Sequence, residues 1–149
     1  MADALILPPE GGEPLTIRGG SRLLFKAVAA TTEGRFSLHE RHIPAGGRRR
    51  PAHTHPDRVE AFWVLDGEAE FELEGQLSRA GAGSFVLVPG GVAHTFGATA
   101  DAPAHVLMLH APALDGYFRE LEELWSGDAP PSPEAELGLM RRHGMRPVA

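Results

Sequence analysis

No cysteine occurs anywhere in the 149 residues. That excludes disulfides, thiolate nucleophiles and thiolate metal sites, so any metal must be held by nitrogen and oxygen. It also leaves the redox compartment unreadable from cysteine usage. Positive charge is scarce: the formal net charge is -6 and the pI is about 5.7, which provides no broad positive field to hold a polyanion and argues against a nucleic-acid partner. Long hydrophobic runs are missing as well. The N-terminal stretch MADALILPPEGGEP lacks a basic n-region, and its apolar patch is too short for a signal peptide or a membrane span. The expectation is a cytoplasmic protein with no membrane partner. No repeat, low-complexity tract or linker interrupts the chain, which predicts one domain over residues 1–149. With 42% hydrophobic residues, that domain can bury a proper core.

Long helical stripes are absent from the first two thirds. Instead, 18 glycines and 13 prolines punctuate short runs that alternate with period two, the pattern of half-buried strands. The clearest is EAEFELE at 68–74, with four glutamates on one face and Ala69, Phe71 and Leu73 on the other. Asp66-Gly67 joins it to AFWVL and predicts a tight hairpin, because the pair supplies positive φ angles. Further strands are expected at 22–29, 35–43, 84–88, 94–97 and 104–110. Many short strands without helices between them predict an antiparallel sandwich or barrel, here about 15–111. The tail differs. LDGYFRELEELW places one apolar face on a helix over about 112–125, and Ser132, Pro133, the acids after them and Gly144 mark a second over about 133–143. Both are expected outside the barrel or over one end.

Within PAHTHPDRVE, His53 and His55 sit two residues apart, so a strand would aim both imidazoles at one point. Glu60 opens the next strand after the Pro56-Asp57 turn and can swing back toward them. PGGVAH delivers His94 to the start of another strand. Three neutral imidazoles and one carboxylate suit a divalent transition metal (iron, manganese, nickel, cobalt, copper or zinc) with positions left for water or substrate.

These residues also carry a family likeness. GRRRPAHTHPDRVEAFWVLDG resembles the first cupin motif: Gly47, five residues, His53, one residue, His55, four residues, Glu60, six residues, Gly67. GSFVLVPGGVAH resembles the second: Gly83, five residues, Pro89, one residue, Gly91, two residues, His94. The short gap between them is similar to that of compact bacterial single-domain cupins. The resemblance implies an all-β antiparallel jelly-roll β-barrel, with His53, His55, Glu60 and His94 binding one metal ion inside it. The second motif usually closes with Asn where this chain has Ala98, a departure that bears on packing or a pocket contact rather than on the metal. HAPALDGYFREL and LGLMRRHGM resemble the two short C-terminal helices of quercetin-dioxygenase-like small cupins.

Around such a centre, Phe62 and Val64 share the facing of Glu60, and Phe96 that of His94, so they are expected to line an apolar substrate pocket or simply fill the core. His42 and His110 could face the cavity or be ordinary hydrogen-bonded histidines. His39 and His105 fall on the opposite parity in their strands. His143, near a helix C-terminus, is expected to meet the helix dipole. Arg48-Arg49-Arg50 could recognise an acidic ligand, although a basic triplet beside a turn reads more simply as a solvated loop. Trp63 and Trp125 are assigned to packing or a subunit interface, and exposed strand edges favour a homodimer. The resemblance implies a metal-dependent dioxygenase of a small aromatic or enol-bearing compound, with Glu60 a ligand throughout or released as a base. An isomerase or cyclase, or a metal-bearing binder without turnover, stands as the alternative.

Overall fold

The computed structural model describes residues 3–148. Chain order is β1 (Glu13–Thr16), β2 (Arg22–Ala27), α1 (Ala29–Thr32), β3 (Ser37–Ile43), β4 (His53–Thr54), β5 (Val59–Leu73), β6 (Gln76–Gly81), β7 (Phe85–Val88), β8 (His94–Ala98), β9 (Ala104–Ala111), α2 (Asp115–Leu124), α3 (Pro133–Arg142) and β10 (Arg146–Pro147). All strand pairs are antiparallel. The expected all-β jelly roll with short C-terminal helices is therefore present, its hydrogen-bonded path running β1-β2-β3-β9-β5-β8-β4-β10 without closing into a ring. One further single-turn helix, α1, is too short to leave a period in the sequence.

The hairpin expected at Asp66-Gly67 is not there. β5 continues straight through it for 15 residues, and the register against β9 shifts between Val64 and Asp66. Gly67 takes φ +74, and a Cβ on it would lie 2.4 Å from the Pro103 carbonyl oxygen. The dipeptide is not a turn: it pairs with β9 directly after a β-bulge at Leu65. The bulge's extra residue switches the buried positions from Glu60, Phe62 and Val64 to Ala69 and Phe71. In a linear sequence that phase change looks like the end of one strand and the start of another. The bulge lets one strand serve both sheets: the first half of β5 pairs with β7 and β9, the second half with β6 and β8.

Two apolar clusters fill the molecule. One lies between the sheets and contains Phe62, Val64, Phe71, Val88, Phe96, Val106 and Met108. The other joins Leu15, Leu23 and Phe25 of β1 and β2 to Tyr117, Phe118 and Leu121 of α2 and to Leu139 and Met140 of α3. Burying side chains of this size contributes about 1.5–3 kcal/mol each, which fixes both tail helices against the barrel. At the start of α3 the Ser132 hydroxyl accepts the Ala135 amide at 3.2 Å, and Pro133 opens the helix. Arg119 of α2 ties that helix to β1 through Glu13 at 2.7 and 2.8 Å.

Candidate metal centre

Three elements bring the four predicted residues together. His53 stands on β4 and pairs in register with His94 on β8. Glu60 is the second residue of β5, and His55 directly follows β4, where the Gly91 amide donates to its carbonyl oxygen at 3.0 Å. The four are 2%, 2%, 1% and 3% exposed in the order His53, His55, Glu60 and His94. Each offers one donor atom, and these atoms all lie within 4.8 Å of one another.

The hydrogen bonds around them decide which atoms face inward. His53 Nδ1–H donates to the Pro51 carbonyl at 2.8 Å and His94 Nδ1–H to that of Val92 at 2.9 Å. Each ring therefore keeps its Nε2 lone pair free. His53 Nε2 lies 3.2 Å from His55 Nε2, His55 Nε2 lies 3.5 Å from Glu60 Oε2, and His94 Nε2 is in close contact with the same oxygen. Glu60 Oε2 and His94 Nε2 have no hydrogen-bond partner. A single His55 N–H can serve only one of the facing acceptors, so buried lone pairs confront one another. That arrangement is costly unless a cation occupies the point where they converge, and the residues present fit a divalent metal held by imidazole and carboxylate.

Electrostatics favours the metal-binding protonation states. Burial, assisted by the Arg50 charge, pushes His53 down to about 2. Burial also lowers His55, against the opposing pull of Glu60. Glu60 is raised by burial, but the His110 imidazole above all, with His55 and His94 beside Oε2, outweighs this and holds its carboxyl well below the usual range. The group is a carboxylate.

His110 shapes the site without belonging to the quartet. It is fully buried on β9 opposite Glu60, and its Nε2–H donates to Glu60 Oε1 at 2.7 Å. That contact leaves Oε2 as the oxygen turned toward the three imidazoles, the orienting role such partners play beside ligating carboxylates. His39, on the inward face of β3, stacks against His110 with ring centroids 6.1 Å apart.

The remaining predicted pocket residues divide. Phe96 lines the cavity beside the quartet. Phe62 and Val64 face inward but lie in the apolar cluster rather than in the cavity wall, with Phe62 packed 5.0 Å from Phe71 and 4.7 Å from Phe96 between ring centroids. His42 is turned away altogether. It sits on the outer face of β3, stacked 3.9 Å from His105, whose Nε2 meets Glu40 at 2.9 Å. Glu40, His42 and His105 are themselves close enough to hold an ion, though Lys26 lies 3.5 Å from the same carboxylate. Ala98 is 2% exposed within the inter-sheet cluster, so the departure from the second motif adds to apolar packing. His143 contacts Glu120 and leans on the Tyr117 ring.

The arginine triplet is not a solvated loop. Arg48 forks onto Glu136 at 2.5 and 2.7 Å and covers Trp125. Arg49 reaches Glu70 at 2.8 Å and the Ala98 carbonyl at 3.1 Å. Arg50 lies over Tyr117 and Phe118 and lines the cavity. Sequence reasoning also missed Arg41, 7% exposed on the inward face of β3 and part of the same wall. Its only sequence signal is parity: Ser37, His39, Arg41 and Ile43 share one face, and three of the four are polar.

Comparison with known proteins agrees with this geometry. Residues 39–110 match the cupin domain family. Quercetin 2,3-dioxygenase of Bacillus subtilis (strain 168) is 28% identical over 137 residues, covering 85% of this chain. The chain spans 40% of the length of that relative. Among solved structures, KdgF from Halomonas sp. superposes with a TM-score of 0.65 at 18% identity, covering 76% of this chain and 98% of that one. The polyketide cyclase RemF from Streptomyces resistomycificus gives 0.64 at 19% identity, covering 73% and 80%. Both motifs, the antiparallel jelly roll that carries them and the cupin domain matched over residues 39–110 give this chain the fold of a small cupin.

Proposed function

We propose that this cupin is a metal-dependent enzyme of the dioxygenase type, acting on a small aromatic or enol-bearing molecule. The observation that carries the reading is the convergence of three imidazole nitrogens and one carboxylate oxygen within 4.8 Å in a buried wall. His53, His55, Glu60 and His94 would hold one divalent transition metal ion. Such an ion supplies Lewis-acid polarisation and, when redox-active, dioxygen chemistry. The chain's own residues set the rest: His110 keeps Glu60 oriented, burial keeps His53 neutral, and Phe96 and Phe118 restrict water on the cavity side. The likeness to a quercetin dioxygenase supports oxygen chemistry. The likeness to a polyketide cyclase supports a second reading, in which the same centre polarises an enolisable substrate without dioxygen.

Dioxygen uptake separates the two. Untagged protein loaded in turn with iron, manganese, nickel, cobalt, copper or zinc is tested against a panel of catechols, flavonols and enolisable acids. Uptake with at least one pair supports the dioxygenase. Product formation without uptake favours the isomerase or cyclase. Tight ligand retention with no turnover makes the protein a binder.

The outer face of the barrel supports assembly with a second copy. Trp63, Phe85 and Leu87 on neighbouring β5 and β7 are 47%, 59% and 52% exposed, an apolar patch that a homodimer would cover. Light scattering on the intact chain at micromolar concentration tests this, and a monomer mass would remove the dimer. No helix among the described residues is long and apolar enough to cross a membrane.

A further inference from the structure

The cavity beside the quartet carries an unbalanced charge. Arg41 enters it from β3 between two aromatic rings, its Cζ 5.3 Å from the Phe96 centroid and 5.0 Å from that of Phe118. The side chain is almost wholly buried, and Nε and Nη2 have no hydrogen-bond partner. Those two donors form one edge of the guanidinium, the edge that grips a carboxylate with two parallel hydrogen bonds. Burial lowers Arg41 to about 9, which leaves it charged at neutral pH.

Arg50 supplies a second cation against the same Phe118 ring, 5.1 Å from its centroid. Among the described residues its side chain makes one polar contact, with Met145 Sδ at 3.6 Å. Arg48 in the same wall is already neutralised by Glu136. The one carboxylate lining the cavity is Glu60, and its oxygens are engaged by His110 and turned toward the imidazoles. A divalent cation there would add further positive charge. Buried charges without counter-charges are strongly unfavourable, so the wall is built for an anion that arrives with the ligand.

We propose that Arg41 and Arg50 bind a carboxylate of the small molecule that occupies this cavity, beside His53, His55, Glu60 and His94. The proposal deepens the metal-enzyme reading and rests on it for the ligand's second point of attachment. It also restricts size. The space is about 40 Å³, room for about three waters. That space favours a compact acid, its carboxylate next to an enolisable carbon, over a multi-ring flavonol.

Calorimetric titration of the full chain tests this with malonate, pyruvate, inorganic phosphate and neutral catechol, each on metal-loaded and chelator-treated protein. The expected result is binding of malonate or pyruvate in preference to catechol. Arg41→Met should weaken it about tenfold or more with metal content unchanged, and Arg41→Lys should recover part of the loss. Without ligand, Arg41→Met should melt at or above the wild-type temperature, since it removes an uncompensated charge. If that variant does not fold, Arg50→Met gives the same measurement at the second cation. Unaltered acid affinity in the folded arginine variants overturns the proposal, as does preference for catechol or binding of phosphate alone. The two readings fail separately. Arginine-dependent acid binding that survives metal removal unchanged keeps the carboxylate site and discards the metal as its partner.

Discussion

The two ends of the barrel interior are built from the same strands to opposite ends. Toward the β5 bulge the inward positions are Phe62, Val64, Phe71, Ala98 and Val106, interlocked at van der Waals contact. Toward α2 the inward positions of the same sheets are His39, Arg41, Glu60 and His110, with lone pairs and donors left unpartnered. One end is finished on folding. The other keeps buried polar groups that the described residues do not satisfy, and the strands alternate so regularly that a shift of two residues along β5, from Phe62 to Glu60, crosses from one regime to the other. The filled end lends rigidity to the unfilled one, as a site held on strands requires.

The sharpest way to break this contrast is His55→Ala. Metal bound to untagged protein should fall from about one ion per chain to near zero, while the far end keeps the fold intact; elemental analysis with circular dichroism reads both, and full occupancy in the variant would remove His55 from the ligand set. Phe62→Ala should do the reverse. It should lower stability in urea by about 3–5 kcal/mol, and the surviving folded fraction should still bind metal. Next in size is His110→Phe, which keeps the ring volume but deletes the N–H that orients Glu60. Metal affinity should drop about 10–100-fold in competition with a chelating dye; an unchanged affinity would mean that Glu60 holds its place unaided. The smallest effect concerns the helix that covers the open end. The Arg119 hydrogen bond holds Glu13 below its ordinary value of 4.5 despite some burial. A depressed carboxyl pKa contributes stability above the unfolded value, and that contribution is lost as pH falls through the lower folded value. Both side chains are about two-fifths exposed, so screening limits the contribution to under about 1 kcal/mol. Glu13→Gln should slightly flatten the pH dependence of stability below about pH 4.5; identical curves for the two proteins would show that the pair contributes nothing.

Much of the candidate site was legible because its residues are close in sequence or punctuated by turns. His53 and His55 share a face by spacing alone, and Pro89, Gly91 and His94 announce a turn into a strand. Arg41 was not legible. Hydrophobic alternation assigns the apolar set of a strand to the interior, but β3 buries Ser37, His39 and Arg41 and turns Leu38 outward. Parity could say that His39 and His42 face opposite ways. It could not say which way was in. Asp66-Gly67 misled for a related reason, since a left-handed glycine serves a hairpin and a bulge equally well, and only the partner strands β9 and β8 on either side distinguish them.

The sequence by itself therefore determined the elements whose signals are local: strand periodicity, the capped start of α3, and the spacing of four candidate metal ligands. Tertiary structure alone decided what those groups face. Which side of β3 is inside, that His110 holds Glu60, and that Arg41 reaches the cavity between Phe96 and Phe118 all depend on strands distant in the chain. Backbone preferences act over a few residues, whereas a buried charge is defined by everything that surrounds it.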